Sequence, residues 1–211
     1  MHYTREDIKK MDRVERLTVV NAVSGIKPAN LIGSISDHGH ANLAIFSSVV
    51  HLGSDPALLG FICRPVGEVP RHTYENIMEN GTYTINHIPS SHAQNAHYTS
   101  AKFDKETSEF ETCGFIAEYV SDFKAPFVKE SRLKMGMQFI EALPIQRNGT
   151  VLIIGEIQEL LIADEAIVDG DIDLESINSI GISGLNSYYD LKKVERYPYA
   201  RVNDLPDFKI Q

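Results

Sequence analysis

Hydrophobic and polar residues alternate along much of the chain with the period of two that β-strands show. Residues 31–36 and 41–46 are strand-like stretches on either side of residues 37–40. Gly39 lies in this short connection, and glycine readily adopts the positive φ that a tight turn needs. The pattern therefore predicts a β-hairpin. Residues 57–63 are mostly apolar and end at Arg64-Pro65, where proline removes a backbone donor, so they predict a third strand that stops there.

Other segments show helical spacing or predict a second hairpin. Thr73 is a candidate N-cap, the apolar residues 74, 77 and 78 fall on one helical face, and Gly81 can end the helix. Residues 82–88 predict a strand, and residues 91–98 a short helix. Residues 133–139 and 150–163 predict the two strands of a long antiparallel hairpin, because Asn148-Gly149 is a strong turn signal between them.

This order of elements predicts the fold class. Strands that form hairpins, with helices only in connections, favour an antiparallel sheet closed into a barrel over a parallel doubly wound sheet. A length of 211 residues suits one domain. We therefore predict a single mainly β domain over residues 1–211, with an N-terminal arm at residues 1–16. Residues 164–175 hold six acids and no bases, which predicts a solvated acidic excursion.

Composition narrows the classes of partner and location. The chain is 43% hydrophobic and 23% charged, with a net charge of −9 and no basic run, which argues against nucleic acid as a partner. No apolar run approaches the roughly 20 residues of a membrane span, and the polar N-terminus is unlike a secretory signal. Two cysteines are too few for a disulfide scaffold. We expect a cytoplasmic protein with neither a membrane nor a nucleic-acid partner.

Common catalytic motifs are absent, and two alternatives stay open. The chain has no GxSxG, GxGxxG or P-loop motif. Cys63 with a distant histidine can form a thiol nucleophile, although a cysteine in an apolar run is more often buried and inert. Eight histidines can also converge on a metal from distant segments. A thiol or metal hydrolase is therefore one hypothesis for the function.

Three stretches carry candidate ligand-binding groups. Residues 42–48 begin as a strand and end in two serines, leaving backbone N–H groups for the carbonyl edge of a flat heteroaromatic ring. Arg64, Arg71 and Thr73 come before and at the start of the predicted helix, where free N–H groups and the helix dipole favour an anion such as phosphate. Ser100 and Lys102 add another hydroxyl and cation ahead of an aromatic residue.

The chain also resembles a known family over most of its length. The runs NLIGSIS, DHGHANLAIFSSVVHLGSDPALLGFICRP and RHTYENIMENGTYTINHI resemble the flavin reductase-like family of FMN-binding split barrels, in particular its flavoredoxin-like members. The ending GISGLNSYYDLKKVERYPYAR resembles the C-terminal part of that family. The resemblance implies a six-stranded antiparallel Greek-key split barrel with short connecting helices. It also implies a homodimer that holds FMN noncovalently near the subunit interface.

The same resemblance implies which residues hold the cofactor. They are Asn42, Ala44, Phe46, Ser47 and Ser48 for the isoalloxazine and ribityl chain, Arg71, Thr73, Ser100 and Lys102 for the phosphate, Asn86 near the flavin, and Arg64 as a further basic candidate. No side-chain nucleophile is expected, because the chemistry of such proteins belongs to the flavin.

The electron donor stays open at this level. Flavin reductases that use nicotinamide nucleotides often carry a Gly-Asp-His segment in the later strands, whereas this chain has Gly155-Glu156-Ile157. The resemblance therefore implies two functions. One is an NAD(P)H:flavin reductase-type oxidoreductase with NAD(P)H as co-substrate, and the other is an FMN electron carrier reduced by a partner protein.

Overall fold

Antiparallel strands make up most of this computed structural model, which describes residues 1–67 and 69–208. The helices are α1 (Arg5–Lys10), α2 (Arg13–Ala22), α3 (His72–Asn80), α4 (Ala93–Tyr98) and α5 (Glu109–Thr112), with 3₁₀ turns at Ser90–His92, Asp164–Ala166 and Val202–Asp204. The strands are β1 (Lys27–Pro28), β2 (Asn30–Ile35), β3 (Ala41–Phe46), β4 (Val50–Ser54), β5 (Ala57–Cys63), β6 (Thr82–His87), β7 (Ala117–Glu118), β8 (Phe127–Val128), β9 (Leu133–Ile145), β10 (Thr150–Ile162), β11 (Ile167–Val168), β12 (Asp171–Ile172), β13 (Ile180–Ser183) and β14 (Ser187–Asp190).

The main sheet contains seven antiparallel strands in the order β3-β2-β6-β9-β10-β5-β4. The prediction of a mainly β, antiparallel fold is confirmed. The expectation of six strands closed into a barrel needs correction, because the sheet has seven strands and no backbone ladder joins its edges β3 and β4. Ser48 connects the end of β3 to β5 instead, since its hydroxyl accepts from the backbone nitrogen of Ile62 at 3.0 Å and donates to the carbonyl of Ile62 at 3.3 Å.

Both predicted hairpins form. In the first, β2 pairs with β3, so that Ser34 lies opposite Asn42. In the second, β9 and β10 pair along their length, and Gly149 adopts a φ of +74° in the turn between them, as an Asn-Gly turn requires. The pattern did not predict β4, whose residues are mostly exposed, because an exposed edge strand shows little alternation.

Two apolar clusters lie on opposite faces of the sheet. One contains Phe61, Tyr83 and Ile153 from β5, β6 and β10. The other contains Leu43 from β3 and Phe110 from α5, so the short helices bury the opposite face at the β2–β3 end of the sheet. Burial on both faces explains why several strands are more continuously apolar than a half-exposed strand would be.

The N-terminal residues lie outside both clusters. Helix α1 begins with a capping box formed by Thr4 and Asp7, which satisfies two backbone donors at the helix start. None of the residues of α1 or α2 is buried. Within the described part of the chain, no helix is both long enough and apolar enough to cross a membrane.

Candidate functional site

The start of α3 presents groups that can hold an anion. Arg71, and not Thr73 as the sequence predicts, occupies the N-cap position; its side chain accepts no helix N–H, and its backbone nitrogen donates to Glu75 Oε1 at 3.2 Å. The Nε atom of Arg71 donates to the carbonyl of Pro65 at 3.2 Å, which fixes the guanidinium while leaving its two terminal nitrogens without a partner among the residues described. A helix start with free N–H groups and a neighbouring cation favours phosphate or carboxylate.

Thr73 connects this helix start to β3. Its Oγ1 accepts a hydrogen bond from Asn42 Nδ2 at 3.0 Å, and Asn42 Nδ2 also lies 3.3 Å from Ser34 Oγ. Asn76 of α3 donates to the same serine at 3.1 Å, and all four side chains are buried. Because Thr73 Oγ1 accepts from Asn42, the threonine hydroxyl retains its own hydrogen to donate. The structure thus brings two of the predicted residues, Asn42 and Thr73, into direct contact.

The end of β3 forms a half-buried platform at the edge of the sheet. Phe46 packs edge-on against Phe61, with ring centroids 4.9 Å apart. Ala44, Ser47 and Ser48 are also half-buried. Because the Ser48 hydroxyl is used by β5, a ligand here would contact mainly backbone groups and the rim of Phe46.

The third predicted stretch lies in the loop after α4. Ser100 and Lys102 are both exposed, and the Ser100 hydroxyl donates to the carbonyl of His97 at 2.7 Å. Farther along the loop, Lys105 forms ion pairs with Glu75 at 3.5 Å and Glu79 at 3.6 Å. These pairs hold the loop beside α3, the helix whose start carries Arg71 and Thr73.

The two remaining predicted residues are Arg64, which precedes the Pro65 that Arg71 contacts, and Asn86. Arg64 is exposed beyond the end of β5. Asn86 is fully buried, and its amide serves the core. Its Nδ2 atom donates to the Leu31 carbonyl at 3.1 Å and lies 2.9 Å from Thr84 Oγ1, and its Oδ1 accepts from the Val128 nitrogen at 3.0 Å. We therefore do not include Asn86 among the groups proposed to contact a cofactor.

Glu109 is a buried acid next to the polar cluster of Ser34, Asn42, Thr73 and Asn76. It was not identified from the sequence. The residue is 5% exposed, and its Oε2 accepts the backbone N–H of Leu43 at 3.0 Å. Burial raises the pKa of Glu109, while the Leu43 hydrogen bond and the charge of His72 act in the opposite direction. No local pattern marks this residue, because a glutamate in a short helix is normally exposed.

Replacing Glu109 by glutamine should change how stability depends on pH. The pKa of Glu109 is raised on folding, so the wild type loses stability as the pH rises from the unfolded-state pKa through the folded-state pKa. Glutamine still accepts from Leu43 but does not ionise. We expect the stability of Glu109→Gln relative to the wild type to increase as the pH rises above 4.5, measured by urea unfolding. Glu111→Gln, on the exposed side of α5, is the matched control, and equal pH profiles of the two variants would contradict the assignment.

Two cavities occur apart from the predicted residues. One of about 1170 Å³ lies between Pro89–His92, Lys129–Arg132 and Leu160–Ala163, and another of about 530 Å³ lies near Ala41, Phe110 and Tyr119. None of the predicted cofactor residues lines either cavity. Most of the predicted residues instead lie along the edge strand β3, at the start of α3 and in the loop after α4.

The features that a hydrolase would need are not evident. Among residues 1–67 and 69–208, histidine, cysteine, aspartate and glutamate side chains form no group of three or more that could hold a metal ion. Cys63 and Cys113 are both buried, and burial raises the pKa of each thiol. A raised pKa lowers the fraction of thiolate, which is the nucleophilic form.

Comparison with solved structures identifies similar folds. A Shewanella frigidimarina NCIMB 400 protein, assigned as a flavin reductase with a split barrel domain, is 49% identical, with a TM-score of 0.90 over 95% of this chain and 100% of that chain. Flavoredoxin of Desulfovibrio vulgaris (Miyazaki F) is 18% identical, with a TM-score of 0.72 over 83% of this chain and 92% of that one. The FMN-binding protein of Thermus thermophilus is 12% identical, with a TM-score of 0.69 over 82% and 91%.

These similarities agree with the fold that the resemblance implied. At 18% and 12% identity, the last two structures bear on the fold alone. The model of the flavin reductase like domain matches residues 26–171. This range contains the whole seven-stranded sheet and the start of α3 at Arg71. This chain belongs to the flavin reductase like domain family.

Proposed function

We propose that this chain is an FMN-binding oxidoreductase of the NAD(P)H:flavin reductase type. The observation that carries the proposal is the start of α3, where the Pro65 carbonyl holds the Arg71 guanidinium and the buried Thr73 hydroxyl accepts from Asn42 of β3 while keeping its own hydrogen to donate. FMN carries a phosphate with a charge near −2. On a protein with a net charge of −9, such a group binds where local cations and N–H donors outweigh the overall field.

The arrangement supports a division of roles among the residues. Arg71 and Thr73 would hold the phosphate, with Ser100 and Lys102 contributing from the neighbouring loop. The backbone from Asn42 to Ser48 would lie along the flavin ring, and Phe46 would pack at its rim. Bound FMN supplies the redox chemistry itself, while the protein binds it, orients it and limits its contact with water.

An FMN electron carrier reduced by a partner protein is the second candidate. It is favoured by the segment Gly155-Glu156-Ile157 on β10. A side chain at Gly155 would collide with the hydroxyl of Tyr83, and Ile157 packs against the apolar cluster around Phe61. This segment therefore serves the core, and it offers no histidine for a nicotinamide nucleotide.

One experiment tests both candidates. Purified protein, saturated with FMN and freed of excess, is expected to show the visible absorption of a bound flavin. Under anaerobic conditions, NADH or NADPH should bleach that band. Bleaching by neither nucleotide, with rapid bleaching by a reduced redox protein, would exclude the reductase and support the carrier. Failure to retain any FMN would refute both.

A homodimer is part of the proposal. On β5 and β10, residues 59, 61, 151 and 153 pack into the cluster around Phe61, so the alternate residues point to the other face of the sheet. These alternate residues are Leu58, Ile62, Leu152 and Ile154. The side chains of Leu52 on β4 and of Leu152 both lie next to Gly60, so Leu52 belongs to the same face. Leu52 is 43% exposed. An apolar outer face of this kind supports association with a second copy.

A cytoplasmic location also belongs to this proposal. Both cysteines of the chain, Cys63 and Cys113, are free thiols. Each would be exposed to oxidation whenever the protein unfolds. Proteins with only unpaired thiols are typical of reducing compartments.

A further inference from the structure

The last part of the described chain extends away from the sheet. After β14 ends at Asp190, the chain forms no strand or α-helix up to residue 208. Two ion pairs with the acidic excursion (residues 164–175) hold the first part of this C-terminal segment. Lys193 forms an ion pair with Asp173 at 3.3 Å, and Arg196 forms one with Asp171 at 3.5 Å. We call residues 197–208 the C-terminal arm.

Large apolar side chains along the C-terminal arm are exposed. The exposed fractions are 80% for Tyr197, 86% for Tyr199, 84% for Val202, 65% for Leu205 and 74% for Phe208. In the described part of the chain, no hydrogen bond or ion pair connects the arm beyond Arg201 to another element; its one backbone bond runs from the Asp204 nitrogen to the Arg201 carbonyl. Single exposed apolar residues are ordinary, but a continuous series of them indicates a surface that another molecule covers.

We propose that the C-terminal arm of each copy crosses to the second copy and packs its aromatic side chains there. This inference rests on the homodimer proposed above. The arm has 12 residues and can span about 40 Å when extended, whereas a folded chain of this length has a radius of gyration of about 17 Å. The arm can therefore reach well beyond the surface at its base.

Two features favour a second copy as the molecule that the arm contacts. Pro198 and Pro206 favour extended backbone on either side of the 3₁₀ turn at Val202–Asp204, and the ion pairs of Lys193 and Arg196 hold the segment from which the arm leaves. The same chain also carries the apolar face around Leu52, which is 43% exposed, and Leu152, which is half-buried. In a symmetric dimer each copy offers one arm and one such face, so both apolar surfaces become covered together.

Photochemical cross-linking with isotope-labelled subunits tests the proposal. The full chain, with p-benzoylphenylalanine replacing Tyr199, is prepared in ¹⁴N and ¹⁵N forms and saturated with FMN. The two forms are allowed to exchange subunits, and native mass spectrometry confirms the hybrid dimer before irradiation. We expect cross-linked peptides that pair a ¹⁴N arm with ¹⁵N protein. Cross-links confined to one isotope, or a dimer without cross-links, would overturn the arm exchange while leaving the dimer intact. A monomer in sedimentation would refute the dimer itself.

A double variant measures the contribution of the arm to association. Replacing Tyr197 and Tyr199 by serine should raise the dimer dissociation constant about tenfold or more, because buried tyrosines are frequent hot spots of interfaces. Tyr119→Ser is the matched control, since Tyr119 is 53% exposed but lies far from the arm in sequence. An unchanged dissociation constant in the double variant would contradict the proposal.

Discussion

Arg71→Ala is expected to bind FMN about 10- to 150-fold more weakly than the wild type. A charge-assisted hydrogen bond contributes about 1.5 to 3 kcal/mol, which corresponds to that range of dissociation constants. The Arg71 guanidinium is held by the Pro65 carbonyl, so little side-chain order has to be gained when a phosphate binds. Fluorescence quenching of free FMN by the apoprotein measures the effect.

Riboflavin provides the control for this prediction, because it has the flavin ring but lacks the phosphate. Arg71→Ala should change riboflavin binding much less than FMN binding. Lys124→Ala removes an exposed cation that is not among the residues proposed to hold FMN. It should leave the affinities for FMN and riboflavin near their wild-type values. Equal losses for FMN and riboflavin would mean that Arg71 does not act on the phosphate.

Asn86→Ala is expected to lower the free energy of unfolding by about 3 kcal/mol. The substitution leaves the buried nitrogen of Val128 without its acceptor and the buried carbonyl of Leu31 without its donor. These groups belong to β8 and β2, so the variant also weakens the contact between the short β8 strand and the main sheet. Urea unfolding of the apoprotein measures the change.

The same variant separates a structural role from a cofactor contact. If Asn86 serves only the core, the folded fraction of Asn86→Ala should bind FMN with nearly wild-type affinity. Asn186→Ala, in an exposed turn, is the control for stability. Wild-type stability combined with lost FMN binding would restore the flavin contact that the family resemblance implied.

Much of the fold follows from local patterns. The β2–β3 and β9–β10 hairpins form where alternation and glycine-containing turns predict them, because both signals act between residues close in sequence. Helix α3 also ends at Gly81, which adopts the left-handed conformation with a φ of +69°. The edge strand β4 escaped prediction although it pairs with β5 directly after it in the chain, because its residues are mostly exposed and show little alternation. The two-residue strands are too short to show a pattern.

The candidate site was predictable only in part. Arg71 and Thr73 are recognisable because they stand at the start of a helix, and a helix start attracts anions. Ser48 was expected beside a ligand, yet its hydroxyl connects β3 to β5. Glu109 gave no signal, since the pattern of a four-residue helix does not indicate which of its acids will be buried.

The sequence by itself determined the β2–β3 and β9–β10 hairpins with their turns and the cationic start of α3, because each depends on residues close together in the chain. Only the tertiary structure decided which polar groups meet. Asn42 and Thr73 are 31 residues apart, Leu43 and Glu109 are 66 apart, and Asn86 and Val128 are 42 apart. Hydrogen bonds require their atoms to come within about 3 Å, and across such separations that approach depends on how the whole sheet and its helices pack.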